Sequence, residues 1–319
     1  MKMICLDGEP QYKSIVERDV IPLLEAGGHS LNWQELQLSD VDAVVEAAAG
    51  HDGIYVIGDQ GPLPASLIER LPELRLISFV GTGAERFVDL AQARAFGVAV
   101  TNVPDFASQS VAEHAIALMF AVARRITVGD SAVRSGHWAK EQGQLIRGRK
   151  LGVVGLGSIG SKVAAMGRAL GMEVYAWSRS GGPAMEGVKH VSLEELFSTC
   201  DVVSLHLLHT AETEGLVSAQ LVQLMPPDAI LINTARAEIV EPGAAEAALA
   251  SGRLFGAGVD VFRQEPPAQD DLPPLGANTV LTPHIGFHTD EADAVFRLAA
   301  ENILEFAQGR TTNRVELPA

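Results

Sequence analysis

Apolar, strand-like runs alternate with helix-like stretches along almost the whole chain. Such alternation predicts parallel sheets covered by helices on both faces. The runs form two series, and the first comprises MKMICLD at residue 1, GIYVIG at residue 53, LRLISFV at residue 74 and VAVTNV at residue 98. The second comprises KLGVVGLG at residue 150, then MEVYAW, DVVSLHLL, AILINTA, GAGVDVF and TVLTP. Their continuous β-rich character is typical of buried parallel strands.

Two long helix-like segments accompany these series. Ser108 to Ile126 is rich in Ala and Leu and has serines at its start, which predicts one long buried helix that we expect to bridge two domains. Glu291 to Gln308 repeats apolar residues at helical spacing and is followed by Gly309, a residue type that commonly ends helices. We expect this last helix to return to the first series of strands.

Composition and charge narrow the class of protein. At 319 residues the chain is longer than one hydrophobic core usually supports, so two domains are expected. The longest apolar stretch, Ala115 to Ala123, is too short to cross a bilayer. A formal net charge of −16 argues against nucleic acid or an anionic membrane as a partner. The absence of a leader-like N-terminus, and only two cysteines, predict a soluble cytoplasmic protein.

A glycine-rich turn follows the first strand of the second series. Gly155, Gly157 and Gly160 form G-x-G-x-x-G between a strand and a helix, and another strand follows the helix. This β-α-β context predicts a dinucleotide site. The first glycine permits the tight turn, the second lets backbone approach a pyrophosphate, and the third allows close helix packing. The helix N-terminus then faces the anion.

The end of the following strand bears on which dinucleotide binds. A carboxylate there usually accepts hydrogen bonds from the adenosine ribose, but the sequence reads Trp177-Ser178-Arg179-Ser180. Arg179 could pair with a ribose 2′-phosphate, to which Ser178 and Ser180 could donate, so NADP(H) is favoured. The alternative is that Arg179 is a solvated loop residue and that NAD(H) serves.

Three side chains suited to reducing a 2-oxo acid follow other strands of the second series. Arg236 offers a planar fork for a carboxylate, and His284 offers an imidazole for acid/base work. Glu265 could bond the second ring nitrogen of His284, and a neighbouring carboxylate favours imidazolium. Singly, Arg236 could belong to a surface ion pair, Glu265 could be an ordinary loop charge, and His284 could cap a helix. Together, at strand ends of one dinucleotide domain, they predict an active site.

With these residues the chain resembles the D-isomer-specific 2-hydroxyacid dehydrogenase family, which includes glyoxylate and hydroxypyruvate reductases. The resemblance covers essentially the full length, through the glycine turn, the Arg, Glu and His motifs, and the segments Val80-Gly81-Thr82-Gly83, Asn102-Val103-Pro104 and Ser110-Val111-Ala112-Glu113. It implies an α/β fold in which a Rossmann-type dinucleotide-binding domain, 104–288, is inserted into a flavodoxin-like substrate domain, 1–103 and 289–319. It also implies NAD(P)-dependent hydride transfer to a small 2-oxo acid, and a homodimer formed through the cofactor domain.

The resemblance further implies roles for individual residues. Arg236 would anchor the substrate, and Glu265 and His284 would form the acid/base pair. Backbone amides near Val80 and Gly81 would hold the substrate carboxylate. Further cofactor contacts are implied at Ser108, Ser158, Ile159, Thr234, Ala235 and Asp260. No cluster of His, Cys or Asp has metal-ligand spacing, so no metal is predicted.

The chain departs from the family pattern at several positions, and other functions fit part of the sequence. Ala237 stands where a glycine usually follows the arginine, and Phe287 replaces a small residue after the histidine. A dinucleotide-sensing, corepressor-like binding protein is the alternative from another class, but it should carry long extensions that this chain lacks. A formate enzyme of the same superfamily would have glutamine at Glu265. Trp138 could enter a partner's pocket or simply anchor the dimer interface.

Overall fold

The computed structural model describes residues 1–58, 60–179, 181, 184–268, 272, 278–290, 292–310 and 312–315. The chain divides into two units, Met1–Phe106 with Asp290–Ala319, and Ala107–Thr289. Each unit has its own parallel β-sheet and its own buried apolar clusters. The units are therefore described separately.

The first unit is built on five parallel strands in the order β2-β1-β3-β4-β5. They are β1 (Lys2–Cys5), β2 (Ser30–Trp33), β3 (Gly53–Val56), β4 (Leu76–Phe79) and β5 (Ala99–Thr101). This order is that of flavodoxin-like sheets. In such sheets the strands remain parallel, but the order in which they are added along the chain reverses between β1 and β3. The sequence pattern missed β2, because its residues are exposed or half-buried at the sheet edge and form no continuous apolar run.

Alternate strand residues of the first unit pack on opposite faces of its sheet. The helices are α1 (Pro10–Ile15), continued by a π-helical segment (Val16–Val20) into α2 (Ile21–Ala26), then α3 (Val41–Ala48) and α4 (Leu90–Ala95). Ile4 of β1 packs with Val44 of α3, whereas Met3 packs with Leu24 of α2. Both faces of the sheet are thus covered, as the strand composition predicts.

The second unit contains seven parallel strands in the order β12-β11-β10-β9-β6-β7-β8. They are β6 (Lys150–Val154), β7 (Glu173–Trp177), β8 (Val188–His190), β9 (Val202–Leu205), β10 (Ala229–Asn233), β11 (Leu254–Val259) and β12 (Thr279–Leu281). From the central β6 the order runs outward both ways, as in doubly wound dinucleotide-binding sheets. The sequence missed only β8, a three-residue edge strand. The predicted fold class is confirmed.

Six α-helices of the second unit flank its sheet in the described ranges. They are α5 (Ser108–Ala123), α6 (Ile126–Arg134), α7 (Ser158–Ala169), α8 (Leu193–Thr199), α9 (Ala219–Leu224) and α10 (Ala244–Ala250). The prediction of one helix from Ser108 to Ile126 is wrong at its end. Arg125 has a φ of 53°, in the left-handed region, so the chain turns there and restarts as α6.

Helix α5 lies very close to β11. A Cβ on Gly258 of β11 would lie 2.9 Å from the Cβ of Leu118, and one on Gly256 would lie 2.6 Å from Val122. Both distances are shorter than real Cβ contacts, so the glycines in the run GAG are required by this helix packing.

The C-terminal helix α11 (Ala294–Ala307) belongs to the first unit. The Tyr55 hydroxyl donates to the carbonyl of Phe296 at 2.7 Å, and Ser78 Oγ donates to the carbonyl of Ala299 at 2.9 Å. Two side chains of the sheet therefore bond the backbone of the helix directly. The helix starts later than Glu291, which lies outside the described residues.

Two further properties bear on function. None of the described helices has the length and apolar character needed to cross a membrane. Cys5 and Cys200 are both free and buried. Burial raises the pKa of Cys200 to about 12 and that of Cys5 well above its ordinary value. Neither thiol is therefore a reactive thiolate at neutral pH.

Candidate active site

The glycine-rich turn joins β6 to α7. Gly155 has a φ of 98°, and a Cβ there would lie 2.5 Å from the carbonyl oxygen of His206. A Cβ on Gly160 would lie 1.9 Å from the carbonyl oxygen of Gly155. A Cβ on Gly157, by contrast, would meet nothing within 4 Å. The structure therefore leaves no room for a side chain at Gly155 or Gly160, whereas the space next to Gly157 is open.

The first turn of α7 presents its backbone amides to this open space. The helix begins at Ser158, directly after Gly157, and no side chain caps it. Ser158 and Ile159 are half-buried at its start. Because uncapped amides and the helix dipole attract anions, the turn fits the pyrophosphate of a dinucleotide. These residues would hold that part of the cofactor. Ser108, the first residue of α5, is buried.

Two predicted cofactor residues follow β7. Ser178 Oγ is buried and has no hydrogen-bond partner in the described part of the chain. Arg179 is exposed, and its Nη1 lies 3.9 Å from Oε2 of Glu212. Ser180 lies outside the described residues. A buried hydroxyl without a partner beside an exposed guanidinium suits a polar ligand group such as a ribose or a phosphate.

The loop after β10 is organised by the side chain of Asn233. Its Oδ1 accepts a hydrogen bond from the Ala235 amide at 3.0 Å, and its Nδ2 donates to the Arg236 carbonyl at 3.0 Å. The backbone of Arg236 is extended, and the Nη1 atom of its side chain donates to the Ala235 carbonyl at 2.7 Å. Thr234 Oγ1 is buried without a partner among the described residues. Ala237 opens a 3₁₀ turn, a conformation that accepts a Cβ.

Asn233 itself was not singled out from the sequence. The available signal was a polar residue at the last position of the otherwise apolar strand AILIN. A buried amide at such a position needs partners, and here its partners are the Ala235 amide and the Arg236 carbonyl.

The structure brings Glu265 and His284 into direct contact. Nδ1 of His284 lies 2.8 Å from Oε2 and 3.0 Å from Oε1 of Glu265. Oε1 also accepts a hydrogen bond from the Phe262 amide at 3.1 Å, which orients the carboxylate. Since Nδ1 is engaged by Glu265, Nε2 is the ring nitrogen that remains for a substrate. The His284 side chain is 29% exposed, so the ring is reachable from solvent.

Arg236 and His284 lie on the same edge of the sheet. Arg236 follows β10 and His284 follows β12, and β11 lies between these two strands. Parallel strands end at a common edge, so the guanidinium, the imidazole and Glu265 after β11 all emerge there. The ring of Phe287 meets the His284 ring edge-on, with centroids 6.1 Å apart, and forms an apolar neighbour to it.

The backbone of His284 is held in an unusual conformation. Its φ is 55°, in the left-handed region that non-glycine residues rarely adopt. Such a conformation persists only when surrounding contacts hold it. Those contacts come from Asp260, whose carboxylate accepts hydrogen bonds from the amides of Ile285 at 3.0 Å and Gly286 at 2.9 Å. The catalytic candidate is thus positioned by the two residues after it.

Asp260 is itself fixed by side chains from α5 and from the end of β12. Thr282 Oγ1 donates to Asp260 Oδ1 at 2.5 Å, and His114 Nε2 lies 3.0 Å from Thr282 Oγ1 and 3.3 Å from Asp260 Oδ1. Burial alone would raise the pKa of Asp260, but the hydrogen bonds from His114, Thr282 and the two amides outweigh it and lower that pKa. Sequence analysis did not identify this network, although a histidine inside an apolar helix was its visible sign.

His206 directly follows β9, and its backbone lies close to Gly155 of the glycine turn. Its Nε2 lies 2.8 Å from Ser204 Oγ, and its Nδ1 is buried without a partner in the described ranges. Burial lowers the pKa of His206 to about 3. The ring is therefore neutral at physiological pH and cannot serve as the acid. Among the described residues, no group of three or more side chains could hold a metal ion.

The substrate-carboxylate residues expected from the sequence lie in the first unit, directly after β4. The Val80 amide donates to the Val56 carbonyl at 2.8 Å, so it is already used within the sheet. The Gly81 carbonyl accepts from the Val103 amide at 2.7 Å. The Val80 amide is therefore not free to bind a carboxylate. The predicted contact would have to come from Gly81 or from the residues after it.

The family is decided by comparison with known proteins. A sequence model of the D-isomer specific 2-hydroxyacid dehydrogenase, NAD binding domain, matches residues 116–286. The glyoxylate reductase of Thermococcus litoralis is 38% identical over 256 residues, which are 76% of this chain and 77% of that protein. The chain belongs to the D-isomer-specific 2-hydroxyacid dehydrogenase family.

Other family members and neighbours agree with this assignment. The hydroxypyruvate reductase of Blautia hydrogenotrophica is 31% identical over 304 residues, which are 92% of this chain and 93% of that protein. A solved acyclic imino acid reductase, in complex with NADPH and D-Arg, matches 99% of this chain and 100% of its own, with 26% identity and a TM-score of 0.83. The chain is an oxidoreductase that binds a nicotinamide dinucleotide and acts on the CH-OH group of 2-hydroxy acids. The predicted family and enzyme class are confirmed.

The glycine geometry yields a paired prediction. Gly157→Ala should fold normally but bind NAD(P)H about tenfold or more weakly, because the methyl group enters the space left for the pyrophosphate. Gly160→Ala should lower the melting temperature, because its Cβ has no room and overpacking costs about 1–3 kcal/mol. Circular dichroism melts and fluorescence titration with NADPH measure both effects. Wild-type affinity in Gly157→Ala would contradict the pyrophosphate position, and a wild-type melt of Gly160→Ala would contradict the close packing.

Proposed function

We propose that this enzyme reduces small 2-oxo acids, with glyoxylate and hydroxypyruvate as its substrate class, to the corresponding 2-hydroxy acids, which have the D configuration wherever C2 is a stereocentre. The observation that carries the proposal is the 2.8 Å contact between His284 Nδ1 and Glu265, which makes an acid/base pair at the sheet edge. When bound, the dinucleotide supplies the hydride that adds to C2 of the oxo acid. Residues of the chain bind and orient the substrate and supply the proton.

His284 is proposed as the proton donor. Its Nε2 gives a proton to the carbonyl oxygen as that oxygen becomes a hydroxyl, and takes the proton back in the reverse reaction. Glu265 accepts a hydrogen bond from Nδ1, so its carboxylate lies directly beside the ring that donates the proton. The carboxylate also keeps the ring in one orientation, which general acid catalysis requires.

Arg236 is proposed as the substrate anchor. A guanidinium can bond the carboxylate and the carbonyl oxygen together, which polarises the carbonyl for hydride addition. Two hydrogen bonds support a fixed position for Arg236. Its Nη1 donates to the Ala235 carbonyl, and its own carbonyl accepts from Asn233 Nδ2. We assign the first unit as the substrate domain, with the Gly81 loop at the end of β4 contacting the carboxylate and Val80 supporting that loop.

The substrate size is supported by two observations. Relatives that cover most of this chain are named for glyoxylate and hydroxypyruvate. Phe287 stands edge-on to the His284 ring, so a bulky side chain adjoins the proposed proton donor. Together these favour a two- or three-carbon 2-oxo acid over bulkier ones.

For the cofactor we propose a preference for NADP(H), with NAD(H) also accepted. Arg179 and the buried hydroxyl of Ser178 support it, since both can bond a 2′-phosphate. A neighbour of the same fold was solved with NADPH. The glycine turn, Ser108, Thr234 and Ala235 are proposed to contact the rest of the dinucleotide. Asp260 is proposed to contact it as well, in addition to holding the His284 turn.

We also propose a homodimer formed through the second unit, located in the cytoplasm. Large apolar side chains are exposed on α6 and on the extended segment after it: Ile126, Val133, Trp138 and Leu145. Trp138 is 80% exposed, and exposed apolar clusters of this kind mark interaction sites. The two free cysteines fit a reducing compartment.

A substrate panel tests the function. The purified enzyme should reduce glyoxylate and hydroxypyruvate with the highest kcat/KM, pyruvate less well and branched 2-oxo acids least, with NADPH preferred over NADH. Cofactor oxidation followed by absorbance provides the measurement. Absence of turnover with every oxo acid and both cofactors would overturn the proposed reaction, and faster reduction of branched acids would overturn the substrate class.

The acid/base pair generates a mutational prediction. His284→Ala should lower kcat by about 10²- to 10⁴-fold while NADPH affinity stays within about twofold, because the ring acts on the proton and not on the cofactor. Glu265→Gln should lower kcat less, since glutamine keeps a hydrogen bond but loses the charge. Steady-state kinetics and NADPH titration measure both. His190→Ala, which removes an exposed histidine at the end of β8, is the matched control and should retain wild-type kcat. Equal kcat in His284→Ala and His190→Ala would contradict the assignment.

The proposed dimer has its own test. Trp138→Asp should shift the protein from dimer to monomer in light scattering coupled to size exclusion, because a charge replaces an interface anchor. Phe96→Asp is the control, since Phe96 is an aromatic residue that is 54% exposed and lies in the first unit. A monomeric wild-type protein, or dissociation by Phe96→Asp alone, would show the assigned interface to be wrong.

A further inference from the structure

We propose that Glu212 sets the strength of cofactor discrimination, because its carboxylate competes with the ribose 2′-phosphate of NADP(H) for the guanidinium of Arg179. This inference rests on the proposed role of Arg179 and deepens it. It adds a specificity-determining residue that lies outside the glycine turn and outside the strand end that carries Arg179.

The position of the pair follows from the sheet order. Strand β6 lies between β7 and β9, and all three run parallel. Arg179 comes after β7, and Glu212 lies in the segment after β9. The glycine turn follows β6, at the same edge of the sheet. The Arg179–Glu212 contact therefore reaches from one neighbour of β6 to the other, beside the turn that receives the dinucleotide.

The Glu212 carboxylate is held in place by its own turn. Thr210 Oγ1 donates to Glu212 Oε2 at 2.6 Å. The turn is closed by Thr213, whose Oγ1 accepts from the Thr210 amide at 2.8 Å and donates to the Leu208 carbonyl at 2.6 Å. The hydrogen bond from Thr210, with a smaller contribution from Arg179, lowers the pKa of Glu212. The carboxylate is therefore ionised at neutral pH and stays near Arg179.

The contact with Arg179 is loose enough to be exchanged. The two charged atoms lie 3.9 Å apart, beyond hydrogen-bond distance, and both side chains are mostly exposed, at 75% and 66%. An exposed ion pair of this kind contributes little stability. A phosphate dianion can form shorter, charge-assisted hydrogen bonds to the same guanidinium and would displace the carboxylate.

The two cofactors differ in what this displacement costs. A 2′-phosphate must take Arg179 from Glu212 and then remain close to a like charge. A 2′-hydroxyl needs no cation and is not repelled by the carboxylate. Glu212 thus weakens binding of NADP(H) and leaves binding of NAD(H) nearly unchanged, which moderates the preference that Arg179 creates.

Two nucleotides that differ only by the 2′-phosphate isolate this effect. Adenosine 2′,5′-bisphosphate and adenosine 5′-monophosphate are titrated by calorimetry into the wild type and into Glu212→Gln, Arg179→Gln and the double variant. Glutamine keeps an acceptor for Thr210, so the turn is retained in Glu212→Gln. Glu214→Gln is the matched control, because it removes the same charge from the same turn at a carboxylate that faces His209, 3.8 Å away, and not Arg179.

Glu212→Gln should bind the bisphosphate roughly 2- to 5-fold more tightly than the wild type, the range expected for one exposed ion pair, with the monophosphate unchanged. The gain should be absent in Glu214→Gln. It should be smaller when Glu212→Gln is added to Arg179→Gln, where only the direct repulsion of the phosphate is removed, and it should shrink at high salt. The kcat/KM ratio of NADPH to NADH should rise by a similar factor in Glu212→Gln.

Two results would overturn the inference while leaving the role of Arg179 intact. One is unchanged or weaker bisphosphate binding in Glu212→Gln when Arg179→Gln clearly weakens it. The other is an equal gain in Glu214→Gln, which would assign the effect to net charge. Unchanged discrimination between the two nucleotides in Arg179→Gln would instead overturn the proposed role of Arg179 itself, and with it the inference on Glu212.

Discussion

The buried carboxylate of Asp260 is the interaction on which the proposed catalytic edge depends. It gathers the Thr282 hydroxyl, the His114 ring and the amides of Ile285 and Gly286, so that α5, β11 and the segment after β12 converge on one charge. A carboxylate in such surroundings is stable because every donor that it faces is satisfied by it. Its loss would leave the buried Gly286 amide unpaired, at about 1–3 kcal/mol, and would remove the partner of three partly buried donors. The same bonds hold His284 in its left-handed conformation.

Charge is distributed so that a strongly acidic protein can bind anionic ligands. The formal net charge is −16, yet the sites assigned to the dinucleotide and the substrate use local donors. In the proposed function, uncapped amides at the start of α7 bind the pyrophosphate, and the guanidiniums of Arg236 and Arg179 bind the substrate carboxylate and the ribose 2′-phosphate. Near a binding site, a few oriented donors outweigh distant charges that solvent and salt screen. The same reasoning makes a single nearby carboxylate, Glu212, important for selectivity.

Close packing at glycines links the fold to its site. Gly256 and Gly258 admit α5 to within contact of β11, and α5 in turn delivers His114 to Asp260. Gly160 brings α7 against the carbonyl of Gly155 in the same way, and Gly155 admits the backbone of the segment after β9. A side chain at any of these positions would displace a helix or segment that borders a functional group. Fold and chemistry are therefore constrained by the same backbone approaches.

The sequence by itself determined the two parallel sheets, most of their strands and the residues that follow them, because buried strands are continuous apolar runs and ligand residues cluster after their carboxyl ends. It could not reveal β2 or β8, whose exposed edges leave no such run, nor the break at Arg125, where one residue's φ separates α5 from α6. The pairing of Glu265 with His284 was expected from the sequence, and the structure supplies its geometry. Only the tertiary structure revealed the Arg179–Glu212 pair and the network around Asp260, which join side chains from α5 and from the segments after different strands. Their contact depends on the strand order of the sheet, which no local pattern along the chain encodes.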